Sequence, residues 1–388
     1  MIPFAAIFVS DELADAVSDR AWLDAMLDAE AALARAELAA GLIDARTTAA
    51  VAGACEHSLY DARQLAHEGR AAGNPVEPLV RAIRAKVGDA HAAGVHHGAT
   101  SQDILDSAAM LVAQRAVRII DEAVAGAADE CARLAAEHRH TVMAARTLLQ
   151  QAVPTTFGYK AAAWLVGLVE TRARLALVAG SLPAQLGGAA GTLAALGSDG
   201  PEVLRLYADE LGLREPTVPW HTTRTPLAEL AGALAGVAGA AAKIARDVVL
   251  LAQTEVAEVS EREPGGSSTM PQKRNPVAAV LADACARHAR ANAAILLENV
   301  VQEHERAAGA WHAEWAALAG ALAASGGSAE AVRRSLAGLE VDVERMRANI
   351  TPGTLAEAAR FGIDAARPED YLGSTEAFID RALALHRG

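Results

Sequence analysis

The chain is poor in cysteine, poor in aromatics and short of positive charge. Its three cysteines, Cys55, Cys131 and Cys285, lie far apart and show no CxxC spacing. So sparse and odd a set reads as reduced thiols, not as a disulfide framework. Aromatic residues make up only 4% of the chain, alanine is abundant, and β-branched residues do not cluster in alternating runs. That predicts helix nearly throughout. A net charge of −13 argues against a nucleic-acid partner, because phosphate binding needs a basic surface. It still allows a small anionic substrate, since a local basic pocket can sit on an acidic protein. No apolar run reaches membrane length. Ala231–Ala242 is apolar but short, and Lys243 and Arg246 follow it. Met1–Ser10 is followed directly by Asp11 and Glu12, which is not the pattern of a signal peptide. The expectation is a cytoplasmic protein without a membrane partner.

A chain of 388 residues is long enough for a large core and for two or three domains. Residues 12–40 read as one helix, with Trp22, Met26, Leu33 and Leu38 as core contacts and Gly41 as its stop. Further on, Val117, Ile120, Val124, Ala127, Cys131 and Leu134 form a heptad-like stripe. Another helix is expected from about Lys160 to Ser181. Between Leu227 and Glu263 there is no proline, and Leu230, Leu234, Val237, Ala241, Ile244, Val248 and Leu251 step by four and three. Val277 to about Leu322 reads as a further long helix. The pattern is an elongated bundle of long amphipathic helices. Its apolar stripes exceed what one bundle covers, so oligomerisation is expected.

Three polar islands interrupt these helices, at 96–103, 147–158 and 265–276. In HHGATSQD, Thr100, Ser101 or Asp103 can cap the helix that follows. In TLLQQAVPTTFG, Thr147 and Gln150 supply a hydroxyl and an amide. In GGSSTMPQKRNP, Ser267 and Ser268 offer hydroxyls, Lys273 and Arg274 fixed positive charge, and Asn275 a two-way hydrogen bonder. If the three islands meet, they form a hydroxyl- and amide-rich cradle with cations, suited to holding carboxylates and stabilising an oxyanion. Taken one by one, the same residues fit helix caps and solvated linkers. The histidines His96, His97, His138 and His140 form no metal set, because no cysteine or carboxylate falls at ligand spacing. No cofactor is expected. His138 and His140 read as a solvated helix face. HERAAGAWHAEW (304–315) places Glu305, His312 and two tryptophans on one helix, as a surface or a pocket wall. The glycine-rich QLGGAAGTLAALG (185–197) lacks the phosphate-loop strings and reads as a packed or flexible connection.

GSSTMPQKRNP (266–276) resembles the signature loop of the fumarase/aspartase superfamily, GSSxMPxKxNP. GATSQD (98–103) resembles that superfamily's first motif, and the 147–158 island sits where its second should. The fit runs in order from about Ile7 to Leu339. The resemblance implies an all-α, three-domain fold around a central long-helix bundle. On this chain the domains would span 1–95, 96–334 and 335–388. It also implies a homotetramer whose active sites each draw the three motifs from three subunits. VHHGATSQD, RTLLQQAVPTTFG and HERAAGAWHAEW look closest to the superfamily's 3-carboxy-cis,cis-muconate cycloisomerase branch, which acts in the protocatechuate branch of aromatic catabolism. Where fumarases, argininosuccinate lyases and adenylosuccinate lyases usually carry Thr-His, this chain has Thr147-Leu148. Leucine transfers no proton. A cycloisomerase releases only a carboxylate of the same molecule, a weak base that needs no donor.

The resemblance places the catalytic base on the signature loop, at Ser267 with Ser268 beside it, or the reverse. It places substrate binding at His96, Thr100, Ser101, Thr147, Gln150, Lys273 and Asn275. Only about 17 residues separate GLEVDVERMRANI (338–350) from PEDYLGSTEAFIDRALA (368–384), where the family has a longer helical segment, so the C-terminal domain reads as shortened. Three alternatives stay open: another superfamily lyase such as adenylosuccinate lyase, a cycloisomerase-like enzyme for a different polycarboxylate, and a non-catalytic structural member.

Overall fold

The computed structural model describes residues 4–266, 269–270 and 272–388. Ser10 and Ser18 each cap a helix, accepting from Leu13 N and Ala21 N. The region expected as one helix is therefore two, α1 (Asp11–Ala16) and α2 (Asp19–Ala39). A serine hydroxyl that satisfies an orphan N–H outcompetes a continuous helix there. Short helices α3 (Ala45–Ala54), α4 (Ala62–Glu68) and α5 (Val76–Val87) follow, and then α6 (Ser101–Glu137). At 37 residues, α6 spans roughly 55 Å.

The second island is not a loop. It is a hairpin of β1 (Val142–Thr147) and β2 (Gln150–Thr156), in which Thr147 pairs with Gln150. Its turn residues, Leu148 and Leu149, have φ of 52° and 65°. Next come α7 (Phe157–Ala179), α8 (Gly200–Leu211) and α9 (Thr225–Leu251). The last is shorter than the proline-free stretch, which ends in β3 (Val259–Glu261). The long helix expected after Val277 is broken into α10 (Val277–Glu298) and α11 (Ala310–Ala337). Asn299 closes α10, and His304 (φ 51°) and Gly309 (φ 121°) turn the chain between the two. Glu305 therefore lies in the connection, while His312 and both tryptophans lie on α11. β4 (Leu339–Val341) pairs with β3, and α12 (Val343–Ala348), α13 (Ala356–Arg360) and α14 (Thr375–Arg387) complete the chain.

α6, α7, α9, α10 and α11 pack into the central bundle, with α2 laid along α6 and α14 on α7. The stripes expected on α6 and α9 are buried throughout. Arg224 at the start of α9 bonds Asp106 and Glu314 near the starts of α6 and α11, so these three helices run the same way. α7 and α10 run back. All three cysteines are buried and free. His138 is the C-cap of α6, half-buried edge-on against Phe157, and only His140 is exposed. Among the described residues no helix is long and apolar enough to cross a membrane.

Small residues set the helix spacing. A Cβ on Gly158 would lie 2.7 Å from the Ala135 carbonyl oxygen and 2.7 Å from Arg139 Cα, both backbone atoms that cannot rotate away. Gly158→Ala is therefore expected to cost about 1–3 kcal/mol through overpacking. Thermal unfolding at fixed protein concentration checks this. An unchanged midpoint would mean that α6 and α7 have slack at their crossing.

Candidate active site

At one end of the bundle, Thr100 caps α6 and its backbone N–H donates to Asp103 at 2.9 Å. Asp103 is fully buried and also accepts from Gly187 N and Gly188 N (both 2.9 Å) and from His221 Nε2 (2.6 Å). The glycine-rich segment thus wraps an internal carboxylate. A Cβ on Gly187 would meet Pro219 and His221 at 2.7 and 2.8 Å, so the loop can close on Asp103 only as glycine. Arg306, which the sequence reading passed over, donates to Thr100 Oγ1 and to the Ala189 carbonyl, each at 3.0 Å. Its signal was a cation in a glycine-ended connection between two long helices. Below lies a buried ionic cluster. Arg224 donates to Asp106 (2.7 and 3.0 Å) and to Glu314 (3.1 and 2.6 Å), and Trp311 Nε1 donates to Asp106 at 3.0 Å. Burial pushes the Glu314 carboxyl up, with repulsion from Asp106 adding to it and Arg224 opposing.

His96, Thr100 and Ser101 line a cleft of about 430 Å³ with Arg81 and Arg84 of α5. His96 and His97 diverge to two buried acids of α2: His96 Nδ1 lies 2.6 Å from Glu30 Oε1, and His97 Nδ1 lies 3.0 Å from Glu37 Oε1. Both acids had a sequence signal. Leu23, Glu30 and Glu37 are spaced by seven, so the acids occupy core positions of a helical stripe.

The other two islands lie at the opposite end. Arg146, just before the hairpin tip, forks onto buried Glu258 at 2.9 and 2.6 Å. Asn349 donates to the same carboxylate at 2.9 Å. Gln151, not Gln150, bonds Asn349 O and Thr351. That leaves Thr147, Leu148, Leu149 and Gln150 exposed, with Leu148 at 96%. The signature loop is closed at its neck by Gly265 and Asn275, which exchange backbone bonds of 3.0 and 3.2 Å. Asn275 Nδ2 adds a bond to Gly265 O at 3.1 Å. Glu261 anchors the helix beyond, accepting from Ala278 N, Ala279 N and Ser335 Oγ. Arg274 is tied to Glu261 O (3.3 Å) and Glu340 (3.7 Å). The Lys273 side chain is exposed and forms no ion pair among the described residues. Ser267 and Ser268 lie outside the described residues.

The chain thus brings the hairpin tip and the signature loop to one end and the Thr100 cleft to the other, roughly the 55 Å of α6 away. Asp103 and Arg306 serve the Thr100 end, and Glu258 and Glu261 the other. Among the described residues no group of three His, Cys, Asp or Glu is placed to hold a metal ion.

Residues 8–290 match a family model described as "Lyase". The chain is 47% identical to a 3-carboxy-cis,cis-muconate cycloisomerase of Bradyrhizobium diazoefficiens, over 92% of this chain and 82% of that one. It is 46% identical to a nitrosuccinate lyase of Streptomyces davaonensis, over 86% of this chain and 74% of that one. Its structure is similar to that of the 3-carboxy-cis,cis-muconate lactonizing enzyme of Pseudomonas putida, with a TM-score of 0.91 at 35% identity, covering 99% of this chain and 98% of that one. The chain therefore belongs to this lyase family, the fumarase/aspartase superfamily.

Proposed function

We propose that the chain is a cycloisomerase that interconverts 3-carboxy-cis,cis-muconate and its carboxymuconolactone. The observation that carries this reading is Leu148 at the hairpin tip, where related lyases put a proton-donating histidine. One carboxylate of the tricarboxylate diene adds to a double bond, forming the lactone C–O bond. The carbon next to another carboxylate takes a proton. In reverse, a base removes that proton, the charge spreads onto the adjacent carboxylate, and the ring oxygen leaves as a carboxylate. That leaving group is a weak base, so an apolar tip loses nothing. An expelled amine, as in adenylosuccinate lyase chemistry, would need the missing donor.

Ser267 is the proposed base, with Ser268 beside it. Lys273 and Asn275 hold carboxylates, Thr147 and Gln150 border them, and His96, Thr100 and Ser101 complete the cradle. Because the three islands occupy opposite ends of one chain, the proposal requires other copies of the chain to complete each site, as in the homotetramer that the family resemblance implies. The exposed Leu148 and Leu149 then contact another subunit. An unassisted serine is a poor base, and the surrounding amides and cations would supply its activation.

A second reading is also compatible with Leu148, and what favours it is the similarity to a nitrosuccinate lyase. Elimination from a nitro-substituted succinate would also begin with proton removal beside a carboxylate. It would expel nitrite, which is again a weak base. The deciding experiment incubates the enzyme with 3-carboxymuconate, following loss of diene absorbance, and separately with nitrosuccinate, following nitrite. The expected result is turnover of the diene alone. Nitrite release without diene loss would move the assignment to the second reading, and silence on both at high enzyme concentration would reject it altogether. Leu148→His is expected to gain nothing near the 10²–10⁴-fold that a general acid contributes.

A further inference from the structure

We propose that Glu30 is a positioning residue that holds the His96 ring so that its Nε2–H faces the cleft as a donor for one carboxylate of the substrate. The inference rests on the reading of the cleft as a carboxylate site. Three observations carry it. First, Glu30 is buried in α2, its Oε1 is 2.6 Å from His96 Nδ1, and its Oε2 is buried without a hydrogen-bond partner among the described residues. A buried carboxylate is tolerated when it is paired, and here the only described pairing is to His96. Second, with Nδ1 committed to Glu30, the one ring nitrogen left for a ligand is Nε2, and His96 lines the cleft beside Thr100 and Ser101. Third, His96 has φ 57°, in the left-handed region that histidine enters more readily than most side chains, and in that turn His96 points to Glu30 while its neighbour His97 points to Glu37.

The charges around the pair favour a cationic ring. Burial works against the imidazolium, but Glu30 and then Asp103 of α6 outweigh it, with Arg84 of α5 opposing, so His96 titrates above its ordinary value. Arg81 and Glu77 of α5 complete the cleft wall. Around Glu30 itself stand Cys55, Tyr60 and Tyr207, whose pKa values burial raises and the charge of Glu30 raises further. Glu37, one heptad along α2, is pushed up to about 8 by burial and by Glu30, so at neutral pH the two acids do not both carry charge.

The sign follows. His96 is cationic below its raised pKa, and carboxylate binding through it fades as pH rises past that point. In Glu30→Gln the burial remains and the carboxylate is gone, so the fade moves to lower pH. The test titrates His96 by C2-hydrogen exchange and mass spectrometry in the full-length enzyme, and measures tricarballylate binding by calorimetry from pH 5.5 to 8.5. The His96 midpoint is expected to drop in Glu30→Gln, and tricarballylate affinity to weaken by up to about tenfold per pH unit of that drop at pH values above both midpoints. The variant-to-wild-type affinity ratio should approach one as pH falls. An unmoved His96 midpoint, a ratio constant across pH, or no tricarballylate binding by the wild type would each overturn the proposal. If the glutamine variant does not fold, Glu30→Asp, which keeps the charge but shortens the reach, is expected to lower the midpoint part-way, and no shift counts against the proposal. Failure to turn over either assay substrate would sink the functional reading, while the His96 titration, which needs no substrate, still decides this one.

Discussion

Arg224→Met is expected to lose at least about 4 kcal/mol of stability, or to give no folded protein. Removing one partner of a buried ion pair costs about 3–5 kcal/mol, because the other charge stays buried and alone. Here two carboxylates are stranded at once, Asp106 and Glu314. Arg224 is 1% exposed, and its guanidinium also stacks over the Trp220 ring at 4.6 Å. Burial works against its charge, yet Asp106 and Glu314 together hold its pKa well above the ordinary arginine value. Burial is what pushes the Glu314 carboxyl up; Arg224 opposes it, and repulsion from Asp106 adds to it. Against a total of about 5–15 kcal/mol for a typical domain, the loss is decisive. Urea unfolding at fixed protein concentration measures it. The triple change Asp106→Leu, Arg224→Met and Glu314→Leu separates charge from packing. It is expected to be more stable than the single variant, since an apolar replacement of a buried ionic cluster is often neutral or better. A single variant that melts within a few degrees of the wild type would show that water reaches the cluster.

This cluster also marks where reading the sequence stopped. The stripes on α6 and α9 were legible because apolar residues at steps of three and four have one use on a helix, to face a core. The polar islands were legible as helix ends, and the signature string as a family mark. Asp106, Arg224 and Glu314 were not. A charged residue in an alanine-rich helix reads as surface, and only its partners in space reveal otherwise. The hairpin was missed because its turn carries Leu148-Leu149 where turns with φ > 0 at both positions favour asparagine and glycine. The break between α10 and α11 was missed because residues 299–309 hold no proline and include the helix formers Gln302, Glu303, Glu305, Arg306, Ala307 and Ala308, a propensity outweighed by the bonds of Gln302 to Glu314 and of Thr222 to His304 O. The division of the candidate site between two ends of the bundle needed helix directions, which periodicity does not encode.

Within the signature loop the structure separates two cations that composition treats alike, and that separation sets the second large effect. Lys273→Met is expected to lower kcat/KM by about 10³-fold, near the 2.7–4 kcal/mol seen when one preorganised donor to a developing oxyanion is removed. Arg274→Met is expected to stay within about tenfold, because exposed ion pairs contribute only about 0–1 kcal/mol and Arg274 is spent on Glu261 O and Glu340. The ammonium of Lys273 has no such partner among the described residues. The chain carries 48 acidic residues against 35 lysines and arginines, so a tricarboxylate approaches against the overall field and needs a local cation to enter. If other subunits close the site as proposed and exclude water, the same charge acts through a lower dielectric and its attraction grows. Steady-state kinetics on the diene substrate, with assembly checked by gel filtration, distinguish the two lysine and arginine roles. If Arg274→Met fell a thousandfold and Lys273→Met did not, the carboxylate would have to be held by the cation at the loop's neck, and the role proposed for Lys273 would be overturned.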